Sequence, residues 1–203
     1  MFIILASFII FIIWLTYELK KHEKQEKDAM DSFWAKERAA NRVRKKPLDD
    51  LNFVTIPSAF IPASLLSDHE TVQSCLCILE ELSGKKIVNL TGYSNTDLKM
   101  KYGAANLTLL SEYDENYTLF ARTIYQLARI YYENGYVSNA RILLEKAVES
   151  GTDIRANYRL LADIYKDSGE PQKIQELIQT AKTLKSASAN IILRSLEESV
   201  HKS

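Results

Sequence analysis

The residues of this 203-residue chain best suited to metal or redox chemistry are His22, His69, His201, Cys75 and Cys77, and their spacing serves neither purpose. A zinc set needs Cys and His ligands in close pairs, and the three histidines stand far apart with no cysteine or carboxylate at ligand spacing. Cys75 and Cys77 are one residue short of the Cys-x-x-Cys of redox motifs. On a helix they point to different sides, so at least one is expected to be a small buried hydrophobe. No glycine-rich phosphate loop, nucleophile elbow or paired-acid motif occurs. No catalytic residue, metal or cofactor is therefore expected, and two cysteines without a disulfide framework fit a reducing compartment.

The length fits one domain of ordinary size with an appended segment. Charged residues at 26%, hydrophobic residues at 46%, six Gly and four Pro exclude wholesale disorder and low-complexity architecture. The formal net charge of zero hides an uneven layout. Residues 1–17 carry no charged side chain, 18–46 carry ten Lys or Arg against six Asp or Glu, and the remainder carries sixteen against twenty. The mildly acidic body lacks the concentrated positive face of a nucleic-acid binder, so no nucleic-acid partner is expected.

Residues 1–17 read as a transmembrane anchor. Phe2 to Leu15 holds eleven Ile, Leu or Phe, each worth about −0.3 to −0.6 kcal/mol near a bilayer centre. Seventeen helical residues span about 25 Å, at the short end of what crosses a hydrocarbon core of about 30 Å. Phe2, Ile9 and Phe11 would face lipid, with Trp14 and Tyr17 in the interfacial aromatic belt. A cleaved signal peptide would need a basic leader and small residues after the apolar run; neither is seen, so an uncleaved anchor is expected. The flanking basic residues, from Lys20 and Lys21 onward, lie on the C-terminal side, which predicts a single-pass protein of the cell membrane with a cytoplasmic body. Asn89-Leu-Thr91, Asn106-Leu-Thr108 and Asn116-Tyr-Thr118 match the N-glycosylation pattern, but a glycosylated body would lie on the face that those charges oppose. They are expected to be ordinary turn and cap residues.

Residues 18–46 lack Gly and Pro and place charges at helical spacing, as in Glu23 with Lys27. A helical stalk reaching about 43 Å is expected. Its basic end, Arg38 to Lys46, reads as a solvated helix terminus, with attraction to anionic lipid or an acidic partner as the alternative. Pro47 stops the helix and opens a proline-bounded joint over 47–66. Phe53–Ile56 and Lys86–Leu90 are extended-looking runs that would pair as a minor two-stranded ribbon.

The C-terminal half repeats with a period of 34 residues. Ile124-x-x-Leu127-Ala128-x-x-Tyr131-x-x-x-Gly135 aligns without a gap on Tyr158-x-x-Leu161-Ala162-x-x-Tyr165-x-x-x-Gly169. Downstream Ala140 falls on Ile174, Leu144 on Ile178 and Ala147 on Ala181. Apolar positions recurring at three and four residues make each unit a helix, a turn and a second helix. Gly135 and Gly169 fall at helix ends, and Pro171 at a first turn. The pattern resembles the tetratricopeptide repeat (TPR), over units 121–154 and 155–188. It departs from that consensus where Ile124 replaces Trp, Ala128 and Ala162 replace Gly, Ile174 replaces Ala, and Thr152 and Ser186 replace Pro.

Two repeats bury too little alone. A capping helix over 189–201 is expected behind them, and capping boxes at Ser67-x-x-Glu70 and Ser94-x-x-Asp97 predict helices to about Leu82 and towards Tyr113, forming a third, degenerate pair. The fold expected is all-α: an anchor and stalk followed by a TPR-like solenoid of about seven helices over 67–203. The resemblance implies a concave surface lined by the first helix of each repeat. By position its residues are Arg122, Tyr125, Arg129, Tyr132 and Glu133, then Ala156, Arg159, Asp163, Lys166 and Asp167. Arginines and tyrosines suit an acidic or carboxylate-bearing segment of a protein partner, while the plainer alternative has tyrosines packing inward and arginines solvated. Two roles follow as expectations: a membrane-tethered scaffold, or a structural subunit that assembles through the helical body without a free groove.

Overall fold

The computed structural model describes residues 2–57 and 65–201, without the side chains of 2–6, 200 and 201; Pro62 lies outside the described residues. Among the described residues it contains eight α-helices and no strand: α1 (Phe2–Asn41), α2 (Glu70–Ser83), α3 (Asn95–Tyr102), α4 (Leu107–Glu133), α5 (Val137–Glu149), α6 (Arg155–Asp167), α7 (Pro171–Lys182) and α8 (Ala189–His201). A short 3₁₀ turn, Ala104–Asn106, precedes α4. The protein is all-α, as its patterning implies. The chain divides into two units, residues 1–47 with 94–107, and residues 48–93 with 108–203.

In the first unit α1 is unbroken from Phe2 to Asn41. Ile9, Phe11, Trp14 and Tyr17 are half to two-thirds exposed on it, while the side chain of Phe2 lies outside the description. Among the described residues no helix is long and apolar enough to cross a membrane. The stalk helix stops at Asn41 rather than 46, because tertiary bonds take over its last backbone groups. Lys46 N–H donates to the Tyr102 carbonyl (2.9 Å), and Asn106 Nδ2 donates to the carbonyls of Lys46 and Tyr102, both at 2.8 Å. Gly103, at φ +91°, lets the Arg44–Lys45 backbone pass so close that a Cβ there would meet Lys45 Cα at 2.9 Å. Helix α3 packs against α1. The Ser94 capping box forms as predicted, with Asp97 returning to the Ser94 N–H, but the helix it opens ends at Tyr102 and belongs with the stalk. The third helix pair of the expected solenoid is therefore not made by α3.

In the second unit the predicted ribbon shrinks to a single antiparallel bridge, Phe53 with Val88, and Val54 N–H donates to Ile87 O (2.9 Å). Val88 N–H turns instead to the Tyr113 carbonyl (3.2 Å), which ends the pairing. The capping box at Ser67 does not form. Its hydroxyl reaches Asp68 (3.4 Å), and α2 starts at Glu70 behind His69, which gives no side-chain cap.

The 34-residue register is visible in the packing. Ile124, Leu127, Ala128, Tyr131, Ala140, Leu144 and Ala147 are all buried, as are their partners Tyr158, Leu161, Ala162, Tyr165, Ile174, Ile178 and Ala181. Fourteen side chains landing inside at one spacing is what two equivalent helix pairs require. The turns match as well. Tyr136 N–H reaches Tyr131 O (2.9 Å) and Gly135 N–H reaches Tyr132 O (3.0 Å); Glu170 reaches Tyr165 O (2.8 Å) and Gly169 reaches Lys166 O (3.0 Å). Each is the six-to-one and five-to-two closure of a helix end, with glycine at φ +83° and +69°. Helix α8 packs on α6 and α7, burying Ile192 and Leu196 completely, as a capping helix should.

Candidate functional site

The surface singled out by the repeat lies on the C-terminal half of α4 and on α6, whose apolar stripes fix which residues face out. Arg122, Arg129 and Arg159 are exposed. Arg122 and Arg129, seven residues apart, share one face of α4. Arg129 Nε pairs with Glu133 at 3.5 Å, both groups more than half exposed, an interaction of little energetic weight. Among the described residues Arg122, Arg159 and Asp163 form no ion pair or side-chain hydrogen bond, although Arg159 and Asp163 sit one turn apart. Tyr125 and Tyr132 are half-buried and pack against the hydrophobic core, so part of each ring serves the fold. Ala156 is half-buried, and Lys166 and Asp167 are exposed. The face is mixed in sign.

Two polar constellations escaped the sequence reading. In the first, Arg141 on α5 forks onto Glu170 (Nη1–Oε1 2.5 Å, Nη2–Oε2 3.1 Å) and donates from Nε to Glu145 (2.9 Å). Tyr165 on α6 donates to the same Glu145 oxygen at 2.9 Å, and Lys173 on α7 lies 3.5 Å from Glu170. The hydrogen bond from Arg141 holds the Glu170 carboxyl below its usual range, and Glu170 in turn raises the Arg141 guanidinium. The local signals were Arg141 four residues before Glu145 and Glu170 three before Lys173; the rest is tertiary. This network joins successive helix pairs, and Glu145, Tyr165 and Lys173 also line a shallow cavity of about 230 Å³.

The second is a cleft of about 410 Å³ lined by Phe53, Asn89, Tyr93, Lys146, Thr183 and Lys185 among others. Asn89 Nδ2 donates to Ser150 O (3.2 Å) and Gly151 O (2.8 Å), and Lys146 is tied to Glu149 (3.1 Å). Lys185 lies over the Tyr93 ring, 5.4 Å from its centroid. The walls hold amides and ammonium groups that bind polar surface, and the lining Ser186 hydroxyl donates to Asp153 at 2.5 Å.

All three N-x-Thr amides do structural work. Asn106 is buried between two carbonyls, Asn89 is spent on the α5 terminus, and Asn116 Nδ2 donates to Lys86 O (3.1 Å). Cys75 is buried, which pushes its thiol up, and Cys77 is exposed. Among the described residues no group of three His, Cys, Asp or Glu side chains is placed to hold a metal ion. Comparison with protein families, curated proteins and solved structures finds no match for this chain.

Proposed function

We propose that this protein is a membrane-anchored scaffold, with a TPR-like body that binds a protein partner on the exposed faces of α4 and α6 and holds it beside the cell membrane from the cytoplasmic side. The observation that carries the reading is the repeat: two 34-residue units whose equivalent positions are all buried, which leaves Arg122, Arg129 and Arg159 as the outward groups of adjacent first helices. The anchor rests on the uncharged run of residues 1–17 and on the basic residues that follow it. Exposed arginines, of which Arg129 is tied only to the exposed Glu133, favour a segment bearing carboxylates, through forked hydrogen bonds. Affinity purification of the full chain from detergent-solubilised membranes tests this. A partner should co-purify with the native chain and be depleted from Arg129→Glu/Arg159→Glu. Recovery that is the same for both would sink the groove reading.

A structural role is the second reading, favoured by the packing of Tyr125 and Tyr132 against the core, which leaves the groove less aromatic surface. Sedimentation of the full chain in micelles separates the two, since a stable oligomer with Arg129 and Arg159 protected from modification supports self-assembly.

A further inference from the structure

Helix α3 brings against the last turns of α1 groups that the sequence keeps about sixty residues apart. Lys36 Nζ lies 2.8 Å from Asp97, while the Lys99 ammonium and the Thr96 hydroxyl (2.7 Å) both bond Glu37. Residues 30–47 and 94–107 together hold eight Lys or Arg and three acids, Asp31 with those two, and Glu37 and Asp97 are neutralised internally. Arg38, Arg42, Arg44 and Lys45 are left exposed, and among the described residues none of them is bonded to an acid. Met30, Trp34 and Arg38 follow at intervals of four along α1, and Arg42 stands in the turn just beyond its end; Met30 is 56% and Trp34 49% exposed. Phe33 packs its edge on Trp34, with centroids 5.3 Å apart.

We propose that this corner of α1 and α3 is a docking surface for an acidic amphipathic helix of a protein partner. Trp34 and Met30 fill the apolar seam of that helix, and Arg38 and Arg42 pair with its carboxylates. Tryptophan and arginine are the residues on which protein interfaces concentrate their energy. The two aromatic rings meet edge to face, at 75° to each other, rather than lying side by side as a platform for successive bases, which disfavours a nucleic acid. The choice against the chain's own bilayer rests on the proposed anchor: α1 is unbroken, so Arg38 lies about 30 Å beyond Tyr17, several Debye lengths of about 8 Å.

The test uses the full chain in neutral detergent micelles and a fluorescein-labelled peptide with Leu and Glu at helical spacing, read by anisotropy. Binding should weaken with salt and fall about tenfold in Arg38→Glu/Arg42→Glu, which removes two surface pairs and sets like charges against the peptide's carboxylates. Trp34→Ala should weaken it too, and Arg129→Glu/Arg159→Glu should leave it unchanged, with far-UV circular dichroism confirming the fold of each. Equal affinity in Arg38→Glu/Arg42→Glu, dependence on Arg129 and Arg159, or tighter binding to oligothymidylate or phosphatidylserine vesicles than to the peptide overturns the proposal. The micelle assay reads the surface wherever the chain resides, so failure of the anchor in membrane fractionation is a separate result.

Discussion

Three buried tyrosines should respond to the same one-atom deletion in different directions. Tyr131 and Tyr165 occupy equivalent positions of the repeat, yet the Tyr131 hydroxyl is buried without a protein hydrogen bond, while Tyr165 donates to Glu145 at 2.9 Å. Tyr158, also fully buried, donates to the Thr152 carbonyl at 2.9 Å, on a residue with no exposure. Burial drives the phenols of Tyr131 and Tyr158 up from their ordinary value, so both hydroxyls are neutral and well removed from water. Burying an unpaired hydroxyl costs about 1–3 kcal/mol, so Tyr131→Phe should stabilise by about 1 kcal/mol. Tyr158→Phe strands a buried carbonyl and should cost about 1–2 kcal/mol, and Tyr165→Phe about 1 kcal/mol, since half-exposed Glu145 regains water. Urea unfolding of the full chain in micelles, followed by far-UV circular dichroism, reads these values. With a slope of about 2 kcal/mol per M, the midpoint should rise by about 0.5 M for Tyr131→Phe and fall by about 0.5–1 M for Tyr158→Phe. If Tyr131→Phe destabilises as much as Tyr158→Phe, the assignment of satisfied and unsatisfied hydroxyls is wrong.

Further outcomes concern the stalk corner and the helix-pair network. The Asp97 carboxyl is held down at about 2 by Lys36 and Ser94, so its folded value lies below its unfolded one. Its stabilising contribution is complete above the ordinary aspartate range and disappears as pH falls through about 2; Asp97→Asn should flatten the loss of urea midpoint between pH 5 and pH 2. Asn106→Ala deletes the hydrogen bonds to Lys46 and Tyr102 but also the buried, unsatisfied Oδ1, so it should cost about 1–2 kcal/mol, read as lost amide-exchange protection in α3 and the end of α1. Arg141→Ala should lower stability by about 1 kcal/mol in the same urea assay, and Arg141→Lys should recover only part of that, because an ammonium cannot reproduce the fork onto Glu170.

What the sequence made legible was whatever repeats or alternates. The 34-residue spacing placed Ile124, Leu127, Tyr131 and their partners in the core correctly, because a helix pair with one apolar stripe has a single way to bury it. The glycine turns followed from local backbone preference, and Gly151 at φ +79°, closing α5 in the same way, was not recognised because it lies outside the aligned positions. Long-range choices were hidden. Ser94 and Asp97 announced a helix start, but nothing nearby shows that α3 joins the stalk through Glu37, Lys99 and Thr96 rather than the repeats. Ser67 carried an equally good cap signal that the fold leaves unused, since the turn through Leu66, at φ 54°, sets where α2 begins. On the surface face, positions followed from the register, whereas the inward packing of Tyr125 and Tyr132 depended on neighbours the pattern does not name.

The chain's own cysteines allow the most direct test of the central claim. Cys77 is exposed and Cys75 buried, so a membrane-impermeant maleimide reports on the compartment of the body without an added probe. In membrane-bound protein of intact cells Cys77 should stay unmodified and become labelled once the membrane is permeabilised, with Cys77→Ser abolishing the signal. Labelling before permeabilisation, or recovery of the full-length chain in the soluble fraction, would contradict a cytoplasmic scaffold held at the membrane by residues 1–17.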